Sequence, residues 1–399
     1  MTDQTTTIPK DWKEKTLEEV ADVNSLTINR NYSFNEIEYV DVASVEERKL
    51  IETQKLKLEN APSRAKRIVI DNSILISTVR PNLKHYCFIK KAKPNLIAST
   101  GFAVVNSKEG KSDPYFLYNL LTTSDYTNFL IKVADSQTSM YPAFNPSIIQ
   151  HSKFVLPPYL EQRAIASVFL PLDEKIELLG EQNKILEDTA RAIFKEWFVN
   201  FNFPDATGKM IDSELGLIPE GWSVVNFDEI MKFTPGTYIP KEDYEINGDN
   251  FIYGSNSVMG NTNQKTHTGP IIILAKIGTY CGAIRFSQDD CWINNNAGGI
   301  QGLNISTAVI FEILKHFDFS IVREGSGQPY INMSGLKMQK VAIPKDLNSE
   351  ILKKISQSID TIYLKIAGNQ KQIQILSKLR DTLLPKLIKG EVRIKEFDR

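Results

Sequence analysis

Asp41, followed by Glu47, Arg48 and Lys49, is the nearest this chain comes to a nuclease's carboxylate–lysine pattern. The spacing is loose, and charged groups of that kind are commonplace on surfaces. Transfer of a methyl group to an amine needs an acidic or amide residue before Pro-Pro-aromatic, so that its carbonyl can accept the target amino hydrogens. Leu156-Pro157-Pro158-Tyr159 has the shape but places Leu at the acceptor, and Ser112-Asp113-Pro114-Tyr115 has the acceptor but lacks a proline. His85, His151, His267 and His316 are scattered without a metal-binding spacing. Neither a GxxxxGK[ST] phosphate loop nor a GxGxxG cofactor turn occurs, and Gly278-Thr279-Tyr280-Cys281-Gly282 and Gly325-Ser326-Gly327 read as plain loops. The residues expect no catalysis, no bound metal and no cofactor held by this chain.

What the residue types support is binding. The net charge is −1, so composition alone announces no polyanion partner, but the local distribution does. Residues 61–93 hold eight Lys/Arg against the single acid Asp71. Arg64, Lys66, Arg67, Arg80 and Lys84 are the candidate phosphate contacts, with a bidentate guanine contact open to an arginine. Thr78, Ser139 and Tyr141 are hydrogen-bonding groups in loops that recur later as Lys276, Ser326 and Gln328, with Tyr330 close by. Thr279 and Tyr280 complete this second set, and Gln328 is suited to adenine. Residues 234–340 carry eight Lys/Arg against nine acids, so any DNA face there must be local or shared with other subunits.

The elements that position these residues are repeated. Ile8-Pro9-Lys10-Asp11-Trp12 returns as Ile218-Pro219-Glu220-Gly221-Trp222, 210 residues later. Ile74–Arg80 returns as Ile272–Gly278, 198 later, and Phe154–Pro157 returns as Val341–Pro344, 187 later. The second globular part is therefore shorter by about two dozen residues, lost from loops. Each part predicts a mixed α+β head with a largely antiparallel, curved sheet. Strands are expected at 37–42, 68–79, 86–89, 103–106, 251–253, 271–277 and 283–286, and short helices at 114–130 and 307–317.

A long helix follows each head. Ile165, Leu172, Leu179, Leu186 and Ile193 form one seam of the first, and Phe169, Ile176, Asn183, Ala190 and Trp197 the other. Ile355, Ile359, Ile362, Ile366, Asn369, Ile373, Leu376, Leu383 and Leu387 form the seam of the second, interrupted by Arg380. Each seam contains one Asn. Facing Asn183 with Asn369 in an antiparallel coiled coil sets every seam position against another, Leu179 against Ile373 and Ile176 against Leu376 among them. Pro171 and Pro385 predict kinks. The boundaries read as head 1–156, helix 157–203, linker 204–217, head 218–344 and helix with tail 345–399. The polar N-terminus has no apolar signal core, no run reaches transmembrane length, and the three cysteines lack metal spacing; a cytoplasmic protein is expected.

In their order and duplication these motifs resemble the specificity subunit of a type I restriction-modification system. The similarity rests on the two Ile-Pro-x-x-Trp starts, Leu156-Pro157-Pro158 with Glu161-Gln162, Trp197-Phe198 with Asn202-Phe203, Asp212–Gly216, and Leu383–Leu387 with Gly390-Glu391. The resemblance implies two target recognition domains, each reading half of a split DNA site, and a coiled coil whose length sets the gap. It implies two modification subunits that carry S-adenosylmethionine and adenine-N6 methyl transfer, and restriction subunits that use ATP and Mg. The family's second helix usually enters as the first does; here Lys345–Glu350 replaces that form. A fused methylase–nuclease system with bipartite sites would use an equivalent chain, and a coiled-coil adaptor that never touches DNA is the alternative from another class.

Overall fold

The computed structural model describes residues 9–136, 142–204 and 206–394. It forms two compact units, Met1–Ile176 with Ile375–Arg399, and Glu177–Gln374. Each unit contains one head with part of each long helix.

In the first unit, Lys13–Thr16 pairs antiparallel with Lys153–Leu156, Thr16 opposite Lys153. Thr16 and Glu19 then form a capping box that starts the one-turn helix Leu17–Val20, whose Leu17 and Val20 are fully buried. The main sheet contains β1 (Ala21–Val23), β2 (Ser73–Ser77), β3 (Tyr86–Ile89) and β4 (Phe102–Ser107), in the order β1-β4-β2-β3 and antiparallel throughout. β2 reads Ser-Ile-Leu-Ile-Ser and is buried at every residue, as a strand covered on both faces must be. The single helix expected at 114–130 is two, Pro114–Leu121 and Ser124–Ser136. Between them the hydroxyls of Thr122 and Thr123 donate to the carbonyls of Tyr118 and Leu120, competing with the helical ladder.

A second sheet runs Gln54–Lys57, Glu36–Val40, Leu96–Ser99, Ala65–Ile68, with a parallel central pair. The strand expected at 68–79 is thus split between two sheets; the chain turns at Asn72 with φ 64°.

The second unit repeats this plan. β5 (Met231–Pro235), β6 (Ile271–Ala275), β7 (Ile284–Ser287) and β8 (Ala297–Gly302) are ordered β5-β8-β6-β7. Asn226 lies opposite Lys340 as Thr16 lies opposite Lys153, and Asn226 with Glu229 repeats the capping box. Ala275 faces Ala297 where Ser77 faces Phe102. Its second sheet has three strands, Val258–Thr262, Asn250–Tyr253 and Cys291–Ile293, and keeps the parallel pair. The strand corresponding to Ala65–Ile68 has shrunk to one bridge between His267 and Cys291. The shortening falls partly ahead of Ile272, where the offset drops from 210 to 198, and partly after the following loop, where it drops to 187.

β8 reads Ala-Gly-Gly-Ile-Gln-Gly and carries no apolar alternation to announce it. Its glycines are needed for space: a Cβ on Gly298 would stand 2.3 Å from the Phe233 ring, and one on Gly299 2.6 Å from His267. His267 is buried there, its Nδ1 2.8 Å from Thr266 Oγ1, and burial pushes its pKa below the ordinary histidine value. Folding therefore favours the neutral ring. The stability this gives is complete above about pH 6.5 and is lost as pH falls below that value through the depressed folded pKa. Thermal melts between pH 7.5 and 5 should show an acid loss that is smaller in His267→Gln; an identical loss in the variant would contradict the assignment.

The first long helix runs Tyr159–Phe194 and the second Glu350–Ile388. Neither breaks at its proline: Pro171 and Pro385 each lie inside continuous helix. Proline removes one ladder bond, and here the neighbouring Phe169, Leu384 and Leu387 are locked into the core of the first unit. The first helix ends in a π turn, Lys195–Val199, whose wider winding buries Phe198 in place of the expected Trp197, which is only half-buried. The expected linker at 204–217 contains a hairpin strand, Met210–Ser213, that pairs with Gly216–Pro219.

Within the second unit, Leu179, Asn183, Ala190, Ile355, Ile359, Ile366 and Asn369 are buried, with Leu186 and Ile193 packed alongside. Asn369 Nδ2 donates to Asn183 Oδ1 at 2.9 Å, and Ile373 is half-buried. Within the first unit, Ile165, Phe169, Leu384, Leu387 and Ile388 are buried, and Ile176 and Leu376 half-buried. Leu384 rather than Leu383 takes the inner position. Arg380 does not interrupt the seam: its side chain is 13% exposed and its Nη1 lies 2.8 Å from Asp173 on the first helix.

Candidate nucleic-acid interface

Two loops meet at the edge of each main sheet. In the first head, Arg80 N donates to the Pro142 carbonyl at 2.7 Å, and Val79 bridges Ala143. In the second, Gly278 N donates to the Pro329 carbonyl at 2.9 Å, and Ile277 bridges Tyr330. The 198- and 187-residue offsets superpose these contacts one on another. The structure therefore brings together, in each head, two segments the sequence singled out separately.

The backbone of the first loop is fixed from both sides. Ser77 Oγ donates to the Val79 carbonyl at 2.8 Å, and residues 81–83 form a 3-10 turn whose Pro81 is buried. Arg80 and Lys84 flank that turn with φ 48° and 55°. Their counterparts Gly278 and Gly282 have φ 95° and 92°. One loop frame is thus built twice, on glycines in the second head and on two cations in the first. Non-glycine residues in this region cost about 1–2 kcal/mol each, so the two side chains are kept against a backbone preference.

The remaining predicted residues divide. Arg64, Lys66 and Arg67 lie on or beside the strand Ala65–Ile68. This strand adjoins the loop, because Thr100 N donates to the Arg64 carbonyl while Thr78 N donates to the Gly101 carbonyl, each at 2.8 Å. Arg64 is exposed and paired with Asp41 at 2.8 Å, and Lys66 is exposed. Arg67 is half-buried with its Nε sealed and unpartnered, and burial lowers its pKa. Lys84 reaches Glu47 at 3.1 Å. Thr78 is buried and donates its hydroxyl to the Gly101 carbonyl at 3.0 Å, so its side chain holds the loop instead of facing solvent. Ser139 and Tyr141 lie outside the described residues.

In the second head Thr279, Tyr280, Ser326 and Gln328 are exposed. Tyr330 donates to Glu324 at 2.6 Å, and Lys276 is half-buried, 5.9 Å from the Phe233 ring centroid. Asn82 and Leu83, at the tip of the first loop, are exposed and were not among the predicted contacts. Aligning Gly278 and Gly282 with Arg80 and Lys84 was the signal that could have marked the turn between them.

Each head is fastened to its helices by a polar group. In the first unit Asp173 accepts from Arg48 Nη1 at 2.9 Å, Arg380 Nη1 at 2.8 Å and the Tyr115 hydroxyl. Arg48 Nη2 also reaches Asn119 Oδ1 at 3.0 Å. Arg48 is thus a structural cation, and its neighbour Glu47 holds Lys84 of the candidate loop. In the second unit the buried Glu312 accepts from Tyr363 of the second helix and pairs with Lys315 at 3.0 Å. Burial and the Glu312 carboxylate raise the Tyr363 pKa far above the tyrosine range. Among the described residues no cluster of His, Cys, Asp and Glu is placed to hold a metal, and no helix is long and apolar enough to cross a membrane.

Two similar α+β heads on paired long helices, with one loop frame carrying different side chains, define a duplicated recognition protein. Sequence comparison gives the family: residues 9–188 and 219–377 both match the type I restriction modification DNA specificity domain, and the chain belongs to that family. It is 26% identical to the type I restriction enzyme MjaIX specificity subunit of Methanocaldococcus jannaschii, over 98% of this chain and 95% of the relative. It is 28% identical to the HindI specificity subunit of Haemophilus influenzae over 52% of this chain and 45% of the relative. The crystal structure of the S subunit from M. genitalium has the same fold, with a TM-score of 0.62 at 16% identity, covering 97% of this chain and 98% of that one.

Proposed function

We propose that this chain is the DNA-reading component of a type I restriction-modification assembly. Each head reads one half of a split, asymmetric site, and the paired helices set the unread gap. One observation carries this reading: the two heads share the main sheet's strand order and register and the loop frame, yet present Arg80, Asn82 and Lys84 in one and Gly278, Tyr280 and Gly282 in the other. Similar frames with unlike side chains suit two half-sites of unlike sequence. The cations of the first head supply sequence-independent phosphate attraction, and exposed amide, hydroxyl and apolar groups at the loops supply base readout.

In this reading the chain is not itself the catalyst. Two modification subunits bring S-adenosylmethionine and the adenine-N6 methyl transfer, and restriction subunits bring ATP, Mg and cleavage. The test is to purify the chain alone and with its modification subunit, and to map methylated adenines on genomic DNA by single-molecule sequencing. The expected result is no methylation by the chain alone and a bipartite motif with a constant gap for the complex. Methyl transfer by the chain alone, or a complex whose methylation follows no bipartite motif, would overturn the reading. DNA binding by the complex should weaken steeply with salt.

A further inference from the structure

We propose that Asn82 is a base-reading residue of the first head, its carboxamide addressed to the adenine of an A·T pair, with Leu83 against the thymine methyl. The proposal rests on the DNA-reading assignment above and deepens it. Three observations meet at this turn. The first is rigidity: Leu83 N donates to the Arg80 carbonyl at 2.9 Å, Lys84 N donates to the Pro81 carbonyl at 3.0 Å, and the buried Pro81 anchors the turn to the head. A tip held in this way need not order its backbone on contact.

The second is retained strain. Arg80 and Lys84 occupy left-handed positions that the second head fills with Gly278 and Gly282. Conformations of this kind persist where the surrounding structure over-determines them, and they are enriched at functional sites. The strained positions bracket Asn82 and Leu83.

The third is what the tip exposes. Asn82 makes no hydrogen bond among the described residues and is exposed, and Leu83 is 49% exposed. An amide can both accept from N6 and donate to N7 of adenine, and the same base pair offers the thymine C5-methyl group in the major groove. Adjacent amide and aliphatic side chains therefore match two features of one A·T pair. The equivalent position in the second head is Tyr280, 51% exposed, so the two heads present different chemistry at the same place in the frame.

The test maps methylated sites for the assembled modification complex carrying Asn82→Ala, Leu83→Ala, or Arg80→Gly with Lys84→Gly. Asn82→Ala is expected to relax one base pair of one half-site, with about 5–150-fold less discrimination there. The other half-site and the gap stay as in the parent. Leu83→Ala should relax the same pair more weakly. Arg80→Gly with Lys84→Gly keeps the backbone frame, so the melting temperature should stay near that of the parent. DNA affinity should fall for all sequences alike, with a salt slope shallower by about one per cation. Methylation maps unchanged by both Asn82→Ala and Leu83→Ala would overturn the proposal. So would a lower melting temperature in Asn82→Ala with no change in base preference. A parent complex with no bipartite map would instead sink the DNA-reading assignment, which keeps the two failures apart.

Discussion

Asp173→Ala is expected to lower the melting temperature by roughly 6–12 °C, corresponding to a loss of about 3 kcal/mol in a unit of this size. Asp173 is the carboxylate shared by Arg48 and Arg380, and the three side chains are 18%, 16% and 13% exposed; Arg380 Nε also holds the exposed Asp381 at 2.8 Å. Removing it leaves the poorly solvated Arg48 with only the neutral Asn119 and Arg380 with only the exposed Asp381, and the Tyr115 hydroxyl also loses its acceptor. The expected loss therefore exceeds that of a surface ion pair, typically about 0–1 kcal/mol. Replacing the whole group, Asp173→Leu with Arg48→Met and Arg380→Met, should recover much of the loss, because no charge then stays buried unpaired. Scanning calorimetry of the three-substitution chain beside the single variant checks this. A single variant that melts within a degree or two of the parent would show that the group contributes no more than a surface pair.

The second large effect is expected at the Asn183–Asn369 hydrogen bond. Asn183→Leu alone leaves the Asn369 amide, 1% exposed and with its Oδ1 already unpartnered, without its acceptor. The cost is that of a buried, unsatisfied polar group, about 1–3 kcal/mol. Asn183→Leu with Asn369→Leu restores an apolar seam and should melt at or above the parent temperature. In exchange, the polar pair no longer specifies which turns of the two helices meet. Denaturant melts of both variants decide the matter: equal or additive losses would mean that the amides are not energetically coupled.

The helices and the duplication were the most legible parts of the sequence. Heptad spacing over many turns fixes a face, and a unique Asn on each seam fixes a partner position. Arg380 was misread as a break because a charge on a seam looks like an error until its counter-charge is located. Asp173 lies on another helix, and no local pattern connects the two. In the heads, apolar β-branched strands such as Ser73–Ser77 announced themselves, while Ala297–Gly302 did not, since a glycine strand required by close packing has no alternation to read. The division of 68–79 between two sheets depends on a left-handed turn at Asn72 that a continuous apolar run conceals.

At the candidate interface the sequence located the loops through their repetition. The backbone bond of the Thr78 hydroxyl was not legible there, because a hydroxyl at a strand end can bind backbone as readily as ligand. The sequence also passed over Asn82 and Leu83, whose importance comes from the backbone on either side of them.

The first unit draws its core from distant parts of the chain. Ile165 and Phe169 pack with Leu384, Leu387 and Ile388, and all of residues 177–374 belong to the other unit. During synthesis these apolar faces leave the ribosome long before their partners exist. At about 5–20 residues per second the wait is roughly 10–40 s. For that interval the nascent first half is a natural client for chaperones and the stage most exposed to aggregation. Yield in cells should accordingly respond more to translation speed and chaperone supply than the stability of the finished fold would suggest.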